Sequence, residues 1–215
     1  MTQSLLLLQP EPGAEQQIGP QSWLLKGYAL PHVSAVYDAM TTVLASSPLR
    51  KMQTPRGWMS VTQSNCGVYG WVSDRTGYRY VADDPFTGEP WPAMPAMLHA
   101  LATRAAQRAG FKGFDPQACL VNHYAPGARM GLHQDRDEAN LQAPIVSMSF
   151  GLSAEFLFGG LRRTDPVLKV SLEHGDVLVW GGDDRLRFHG VKTVASGASL
   201  SAQAHRLNLT FRRVT

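Results

Sequence analysis

A short stretch, GLHQDRD at residues 131–137, places one histidine and two carboxylates at alternate positions. In a β-strand this spacing puts His133, Asp135 and Asp137 on one face, whereas a helix would spread them around its surface. Imidazole and carboxylate groups are common ligands of divalent first-row metals. The stretch therefore predicts a strand that presents a candidate metal site, and a polar face in contact with water is the alternative.

The histidine-x-acid pair carries little information by itself, because a chain with seven histidines and 17 acids is expected to contain about 0.6 such pairs by chance. Two occur, His133/Asp135 and His174/Asp176. The second lies between the apolar runs SLE and VLVW and contains Gly175, so it is predicted to be a hairpin turn. The first lies between two loops, where β scaffolds carry functional residues, and is the better candidate.

A third metal ligand must come from elsewhere in the chain. Two imidazoles and one carboxylate on one face of an octahedron leave three positions open, which is the pattern of non-haem Fe(II) oxygenases. In a jelly roll this ligand comes from a later strand, and His189 in RLRFHGVKT is the best candidate. Its alternative role is that of a strand-end histidine bonded to the backbone.

The last apolar run, RLNLTFR, alternates apolar residues with polar ones. The polar set comprises Arg206, Asn208, Thr210 and Arg212. Two guanidinium groups on one face are suited to bind an anion with two carboxylates, because each forks onto a carboxylate. Asn122 and Tyr124 alternate in the same way on an earlier strand and would add hydrogen bonds. The alternative is an edge strand whose polar face meets water.

The elements that must position these residues follow from periodicity. Amphipathic helices are predicted over residues 32–47 and 95–110, the second with a proline at its start and Gly110 at its end. From Cys119 onward, alternating runs separated by turn signals predict antiparallel strands. The expected fold is mainly β with flanking helices, a double-stranded β-helix or jelly roll.

The domain prediction is a flexible N-terminal arm over residues 1–20 and a single jelly-roll domain over residues 21–215. Within that domain, residues 55–92 are rich in aromatic and turn-forming residues and are predicted to form hairpins.

Composition limits the function classes. The 215 residues carry 44% hydrophobic side chains and a formal net charge of +3, which allows an anionic partner without requiring one. No apolar run approaches the roughly 18 residues of a membrane span, and the start lacks the basic region of a signal peptide. Cys66 and Cys119 match no metal or redox spacing. A cytoplasmic protein is expected.

Taken together, NHYAPGARMGLHQDRDE, FHGV and RLNLTFR resemble the AlkB family of Fe(II)/2-oxoglutarate-dependent nucleic-acid dealkylases, specifically its bacterial type. The resemblance extends from Trp58 to Arg212 and includes SNCGVYGW, GYRY, PWPAMP and FGGLRR. The ordered combination of N-x-Y, H-x-D-x-D, a distal histidine and R-x-N-x-x-x-R is far more specific than any single motif.

The resemblance implies roles for individual residues. The Fe(II) ligands, which are also the catalytic residues, would be His133, Asp135 and His189. The 2-oxoglutarate site would comprise Arg206 and Arg212 at the two carboxylates, supported by Asn122, Tyr124 and Asn208. The base and the nucleic-acid strand would contact Trp71, Tyr78, Arg79, Tyr80, Arg136, Asp137 and Arg163.

The implied function is oxidative demethylation of 1-methyladenine and 3-methylcytosine in DNA, with RNA left open. The enzyme would be a monomer that uses Fe(II), O2 and 2-oxoglutarate and releases formaldehyde, succinate and CO2. The alternatives are a hydroxylase of the same chemistry acting on a protein or a small molecule, and a catalytically inactive nucleic-acid-binding module.

Overall fold

The computed structural model describes residues 13–55, 57–196 and 204–215. The elements in chain order are β1 (Glu15–Gly19), β2 (Ser22–Leu25), α1 (Val33–Ser46), β3 (Arg50–Thr54), β4 (Gly57–Gly67), β5 (Gly70–Asp74), β6 (Gly77–Val81), α2 (Ala96–Arg108), β7 (Ala118–Tyr124), β8 (Met130–His133), β9 (Ile145–Gly151), β10 (Ala154–Phe158), β11 (Leu168–Leu172), β12 (Val177–Trp180), β13 (His189–Val191) and β14 (Arg206–Arg212). Short 3-10 turns cover Leu30–His32 and Gly182–Asp184.

The strands form two antiparallel sheets and a separate hairpin. The major sheet has the order β1-β2-β12-β9-β14-β7-β4-β3, the minor sheet has the order β11-β10-β13-β8, and β5 pairs with β6. Strand β14 lies inside the major sheet between β9 and β7, and all of its residues are buried. The edge-strand alternative for RLNLTFR is therefore wrong, because its polar face meets the interior of the fold and not bulk water.

Side-chain alternation divides the protein into two apolar cores on opposite faces of the major sheet. The outer core joins α1 and α2 to residues such as Val121, Met148 and Leu209. The inner core lies between the two sheets and includes Trp180 and Phe156. This is the predicted jelly roll with flanking helices.

Both predicted helices are confirmed, with ends within two residues of the expected positions. Helix α1 buries Val36, Met40 and Val43, which lie on its predicted apolar face. Helix α2 buries Leu98, Leu101 and neighbouring alanines against the same face of the major sheet. Gly110 follows α2 with a φ of +91°, a conformation in which glycine is favoured at a helix end.

Two local predictions need correction. Residues 15–19, assigned to the N-terminal arm, form β1, which pairs with β2 and extends the major sheet. Residues 1–12 of the predicted arm lie outside the described residues. His174–Asp176 does form a turn, but it is not a hairpin, because β11 before it belongs to the minor sheet and β12 after it belongs to the major sheet. In the described part of the chain, no helix is long and apolar enough to cross a membrane.

The turn that joins β11 of the minor sheet to β12 of the major sheet is held by Asp176. Its buried carboxylate accepts hydrogen bonds from Lys26 Nζ at 2.8 Å, from the Gly27 amide at 2.8 Å and from the Glu173 amide at 2.9 Å. The Lys26 ammonium is also buried, so the two charges neutralise each other away from water. Gly175 completes the turn with a φ of +86°, and a β-carbon there would lie 2.5 Å from the Leu30 side chain.

We predict that Asp176→Ala lowers the free energy of unfolding by about 3–5 kcal/mol. It removes the closer carboxylate from the buried Lys26 ammonium, which keeps only Glu173 at 3.7 Å, and it leaves two backbone amides without their acceptor. Urea denaturation followed by circular dichroism measures the effect. Asp38→Ala on the exposed face of α1 is the matched control and should change stability by no more than about 0.5 kcal/mol. Equal effects of the two substitutions would contradict the role given to Asp176.

Candidate functional site

Antiparallel pairing of β8 with β13 brings two histidines together from distant parts of the sequence. His133, the last residue of β8, is the register partner of His189, the first residue of β13. Their ring centroids lie 4.4 Å apart. Strand β8 ends at His133, so the expectation of one continuous strand through Asp135 and Asp137 is wrong. Asp135 reaches the histidines from the loop that follows.

The three side chains form a compact ligand set. His133 Nε2 lies 3.5 Å from Asp135 Oδ1, and His189 Nε2 lies 3.8 Å from the same oxygen. Their possible ligand atoms all lie within 4.8 Å of one another, and no other such group of three occurs in the described parts of the chain. Two imidazoles and one carboxylate converging in this way suit a divalent first-row metal with open coordination positions.

Backbone contacts set the orientation of both rings. His133 Nδ1 lies 2.9 Å from the Gly131 carbonyl, and His189 Nδ1 lies 2.9 Å from the Arg187 carbonyl. A carbonyl oxygen only accepts hydrogen bonds, so each Nδ1 carries the proton and each Nε2 presents its lone pair toward Asp135. Such fixed tautomers are typical of metal-ligating histidines, and the residues present therefore fit the metal.

The local charges keep this site ready for a cation. Burial lowers the pKa of His189 to about 4, and the neighbouring His133 acts in the same direction. Burial opposes the charged form of His133 as well, but in that form Nε2–H would donate to Asp135, and this hydrogen bond together with the carboxylate charge raises the pKa of His133 above its usual value. For Asp135, burial is outweighed by the Arg212 guanidinium and the two histidines, which hold its pKa well below its usual range. The carboxylate is therefore ionised.

Arg212 holds the second oxygen of this carboxylate. Its Nε and Nη2 donate to Asp135 Oδ2 at 2.8 and 2.5 Å, and its Nε also lies 3.3 Å from Glu138 Oε1. The ion pair leaves Asp135 Oδ1 directed toward the histidines. Arg212 was predicted from the sequence to bind 2-oxoglutarate. In this structure it is bound to Asp135, the candidate metal ligand.

Arg185 supports the same loop through backbone and side-chain contacts. Its guanidinium donates to the Asp135 backbone carbonyl at 2.6 Å, to Glu138 Oε2 at 2.9 Å and to the Ala143 carbonyl at 3.0 Å. Gln134 Nε2 donates to the Leu186 carbonyl at 2.6 Å. These contacts bind the loop that carries Asp135 to the segment that leads into His189.

Arg206 differs from Arg212 and Arg185 because its charge is not paired. Its side chain is 1% exposed, yet within the described ranges no carboxylate lies within 4 Å of it. One terminal nitrogen donates to Ser149 Oγ at 2.8 Å, and the other lies 3.5 Å from the Leu152 carbonyl. Its Nε has no hydrogen-bond partner among the described residues. Burial lowers the pKa of its guanidinium, although an arginine remains charged. A buried cation with an unused donor marks a site for an anion.

These groups line one cavity of about 730 Å³. Its lining includes the histidines and Asp135, the polar face of β14, and Asn122 and Tyr124 of β7. Burial raises the pKa of Tyr124 to about 12, so its phenol remains a hydrogen-bond donor. The cavity therefore combines a candidate metal centre with donors suited to a carboxylate ligand.

The β5–β6 hairpin forms an aromatic wall at the mouth of the cavity. Trp71 and Tyr78 stack with ring centroids 5.5 Å apart and an interplanar angle of 14°. Trp71 Nε1 donates to Asp137 Oδ2 at 2.9 Å, so the second acidic residue of GLHQDRD faces the hairpin and not the metal ligands. Both rings and the Asp137 carboxylate line the cavity.

The other predicted substrate residues occupy three different places. Arg163 and Arg136 line the cavity, and Arg163 also donates to the Leu132 carbonyl at 2.8 Å. Arg79 lies on the exposed side of the hairpin, paired with Asp74. Tyr80 is turned inward, and its hydroxyl donates to Glu138 Oε1 at 2.7 Å. Neither Arg79 nor Tyr80 lines the cavity.

Three residues of the site were not anticipated from the sequence. Glu138 accepts hydrogen bonds from Tyr80 and Arg185, and Gln63 lines the cavity from β4. Glu138 directly follows the metal motif and Arg185 precedes FHGV by three residues, so proximity to these motifs was an available signal for both. The sequence around Gln63 carries no comparable signal.

The chain is similar to known proteins in sequence and in fold. A family model described as the 2OG-Fe(II) oxygenase superfamily matches residues 24–212. The chain is 46% identical to the alpha-ketoglutarate-dependent dioxygenase AlkB of Salmonella typhimurium over 93% of each protein, and 49% identical to that of Escherichia coli over 88% of each. Among solved structures, OsALKBH1 is similar with a TM-score of 0.81 and 29% identity, covering 93% of this chain and 100% of that one.

We predict that Arg185→Lys lowers the affinity for a divalent metal by about 10–100-fold. A lysine ammonium cannot reproduce the three hydrogen bonds by which the Arg185 guanidinium holds the loop that carries Asp135. Titration with Co(II), followed by its visible absorption, measures this affinity.

The matched control is Arg162→Lys, since Arg162 is an exposed arginine paired with Asp165. It should leave the metal affinity unchanged. An unchanged affinity in Arg185→Lys would show that the loop does not depend on this guanidinium.

Proposed function

This chain belongs to the 2OG-Fe(II) oxygenase superfamily and, within it, to the AlkB-type alpha-ketoglutarate-dependent dioxygenases, and on that premise we propose that it demethylates N-alkylated bases in DNA. The resemblance drawn from the sequence is thus confirmed, and the chain is an Fe(II)- and 2-oxoglutarate-dependent dioxygenase. The proposed substrates are 1-methyladenine and 3-methylcytosine, with RNA as a further substrate to be tested.

The proposed metal ligands are His133, Asp135 and His189. With O2 and 2-oxoglutarate, the bound Fe(II) supplies the oxidation of the N-methyl carbon, which leaves as formaldehyde while 2-oxoglutarate becomes succinate and CO2. The protein positions the metal ligands: backbone carbonyls orient the two imidazoles, and Arg212 fixes the carboxylate of Asp135. No protein side chain is required as a general base.

The unpaired guanidinium of Arg206 is the observation that carries the co-substrate assignment. A carboxylate of 2-oxoglutarate would supply the counter-charge that the described surroundings of Arg206 lack. Tyr124, Asn122 and Asn208 would add hydrogen bonds around the same ligand. Arg212, with one carboxylate already bound, would stand at the end of the co-substrate nearer to the metal.

The aromatic wall supports a nucleic-acid base as the substrate. An enzyme reaches the N-methyl group of a paired base only after the base leaves the stack, and an aromatic face then holds it. Stacking on such a face contributes roughly 1–3 kcal/mol per base. Trp71 and Tyr78 supply these faces, Arg136 and Arg163 supply positive charge at the cavity, and Asp137 supplies a carboxylate for a cationic methylated base.

We propose a monomeric protein in the cytoplasm. Both cysteines are buried free thiols, as is usual in a reducing compartment.

The function is tested with a methylated oligonucleotide. With Fe(II), 2-oxoglutarate and air, DNA containing 1-methyladenine should yield formaldehyde and unmodified adenine in equal amounts, measured by mass spectrometry. Asp135→Ala should abolish both, because it removes a metal ligand. The proposal fails if 2-oxoglutarate is consumed in the presence of such DNA and no base is restored.

Asp137 should distinguish charged from neutral lesions. Asp137→Asn keeps an oxygen that can accept from Trp71 but removes the negative charge, so turnover of cationic 1-methyladenine should fall about tenfold. Turnover of neutral 3-methylthymine should change little. The relative kcat/KM for the two lesions is the measurement, and an equal loss on both would contradict an electrostatic role.

A further inference from the structure

Three side-chain amides form a row across the inner face of the major sheet. Gln63 on β4 is the register partner of Asn122 on β7, and Asn122 is the register partner of Asn208 on β14. All three are buried and line the cavity. Gln63 Nε2 lies 2.7 Å from Asn122 Oδ1, and Asn122 Nδ2 lies 3.3 Å from Asn208 Oδ1.

The contacts of Asn208 determine which way the three amide groups are oriented. Asn208 Nδ2 donates to the Met148 backbone carbonyl at 3.0 Å and to Ser147 Oγ at 2.8 Å. A backbone carbonyl only accepts, so Asn208 must place its nitrogen there and its oxygen toward Asn122. Asn122 must then present its nitrogen to Asn208.

The same reasoning fixes the other two amides. Because the Asn122 nitrogen faces Asn208, its oxygen faces Gln63, and Gln63 must donate through Nε2. Reversing any amide would place two oxygens or two amide nitrogens in contact at hydrogen-bond distance. The orientation of the whole row therefore follows from one backbone carbonyl and needs no separate assignment at each residue.

The Gln63 end shows that this orientation is imposed on that residue. The side chain is only 1% exposed, and its Oε1 has no hydrogen-bond partner in the described part of the chain. An unsatisfied buried acceptor is unfavourable. Gln63 thus keeps its amide group in an orientation that is unfavourable for its own oxygen but satisfies Asn122.

We propose that Gln63 is a positioning residue for 2-oxoglutarate, acting through Asn122. At neutral pH this co-substrate is a dianion with two carboxylates and a ketone, and it only accepts hydrogen bonds. The contact with Asn208 sets the orientation of Asn122, and the donation from Gln63 holds Asn122 in it, so that the second hydrogen of Asn122 Nδ2 remains for the ligand. This inference rests on the proposed function, because the co-substrate residues Asn122 and Arg206 are assigned there.

The structure specifies which replacements are informative. Gln63→Met keeps the length and unbranched shape of the side chain but has no N–H, so Asn122 loses its donor without gaining a charge. Gln63→Glu keeps the shape even more closely, and its carboxylate oxygen would repel Asn122 Oδ1. Neither change touches His133, Asp135 or His189 directly.

The test is a double-mutant cycle on 2-oxoglutarate affinity, measured by calorimetry with Mn(II)-loaded protein, which binds the co-substrate without turning it over. Gln63→Met should weaken 2-oxoglutarate binding about fivefold in the otherwise unchanged protein. In an Asn122→Ala background the same substitution should weaken it by less than about twofold, because the residue through which it acts is absent. Mn(II) affinity should remain the same throughout.

Gln63→Glu provides the second cycle and should weaken binding more than Gln63→Met. Measuring it in the Asn122→Ala background isolates the effect of its charge on the dianion, and this cycle decides the question if the methionine variant does not fold. Equal losses in the two backgrounds, or no loss in either, would overturn the role of Gln63 and leave the proposed function standing. Failure of the unmodified protein to bind 2-oxoglutarate would instead overturn the proposed function.

Discussion

Asp135 is a buried carboxylate with cationic or potentially cationic groups on two sides, and the arrangement of the site depends on it. One oxygen faces His133 and His189, and the other accepts two hydrogen bonds from Arg212. Because Arg212 lies at the end of the central strand β14, this ion pair ties the metal loop to a strand that is buried along its whole length. An exposed carboxylate would be free to rotate, whereas this one presents a single oxygen to the two imidazoles.

The buried charges near the metal site balance one another. Asp135 and Glu138 carry two negative charges, and Arg185 and Arg212 carry two positive ones, all within hydrogen-bonding contact. Taking a charge out of water is expensive unless a counter-charge accompanies it. The attraction among these four charged groups therefore offsets the free energy of removing them from water. Their charges sum to zero, so they leave no negative charge to neutralise Arg206.

The alternation in RLNLTFR predicted the faces of β14 correctly, because the period of two is a local property of a strand. Whether its polar face met water or a cavity depended on which strands flank β14, which is set by pairing across more than 50 residues. The end of β8 at His133 was missed for the same reason, since the loop conformation around Asp135 is imposed by Arg185 and Arg212 from later segments.

Periodicity also cannot reveal contacts between a side chain and a distant backbone group. Arg185 acts through the carbonyls of Asp135 and Ala143, and any residue type supplies a carbonyl, so the sequence contains no matching partner to find. Gln63 is similar, because the direction of its hydrogen bond is decided by the Met148 carbonyl three strands away. The metal ligands were easier to identify because their chemistry restricts residue type at each position.

Charge balance also explains why the metal and the co-substrate suit the same cavity. Beyond the four charged groups that balance one another, Arg206 contributes one positive charge, and a divalent metal at the histidines brings the total to three. A dianion in contact with both reduces the total to one, so each ligand lowers the electrostatic cost of binding the other. The buried amide and hydroxyl donors of Asn122 and Tyr124 add direction to this attraction, because they favour an acceptor-only ligand over a cation or a neutral donor. The selectivity of the cavity thus comes from Arg206, whose guanidinium has no carboxylate partner among the described residues, whereas Asp135, Glu138, Arg185 and Arg212 are bonded to one another.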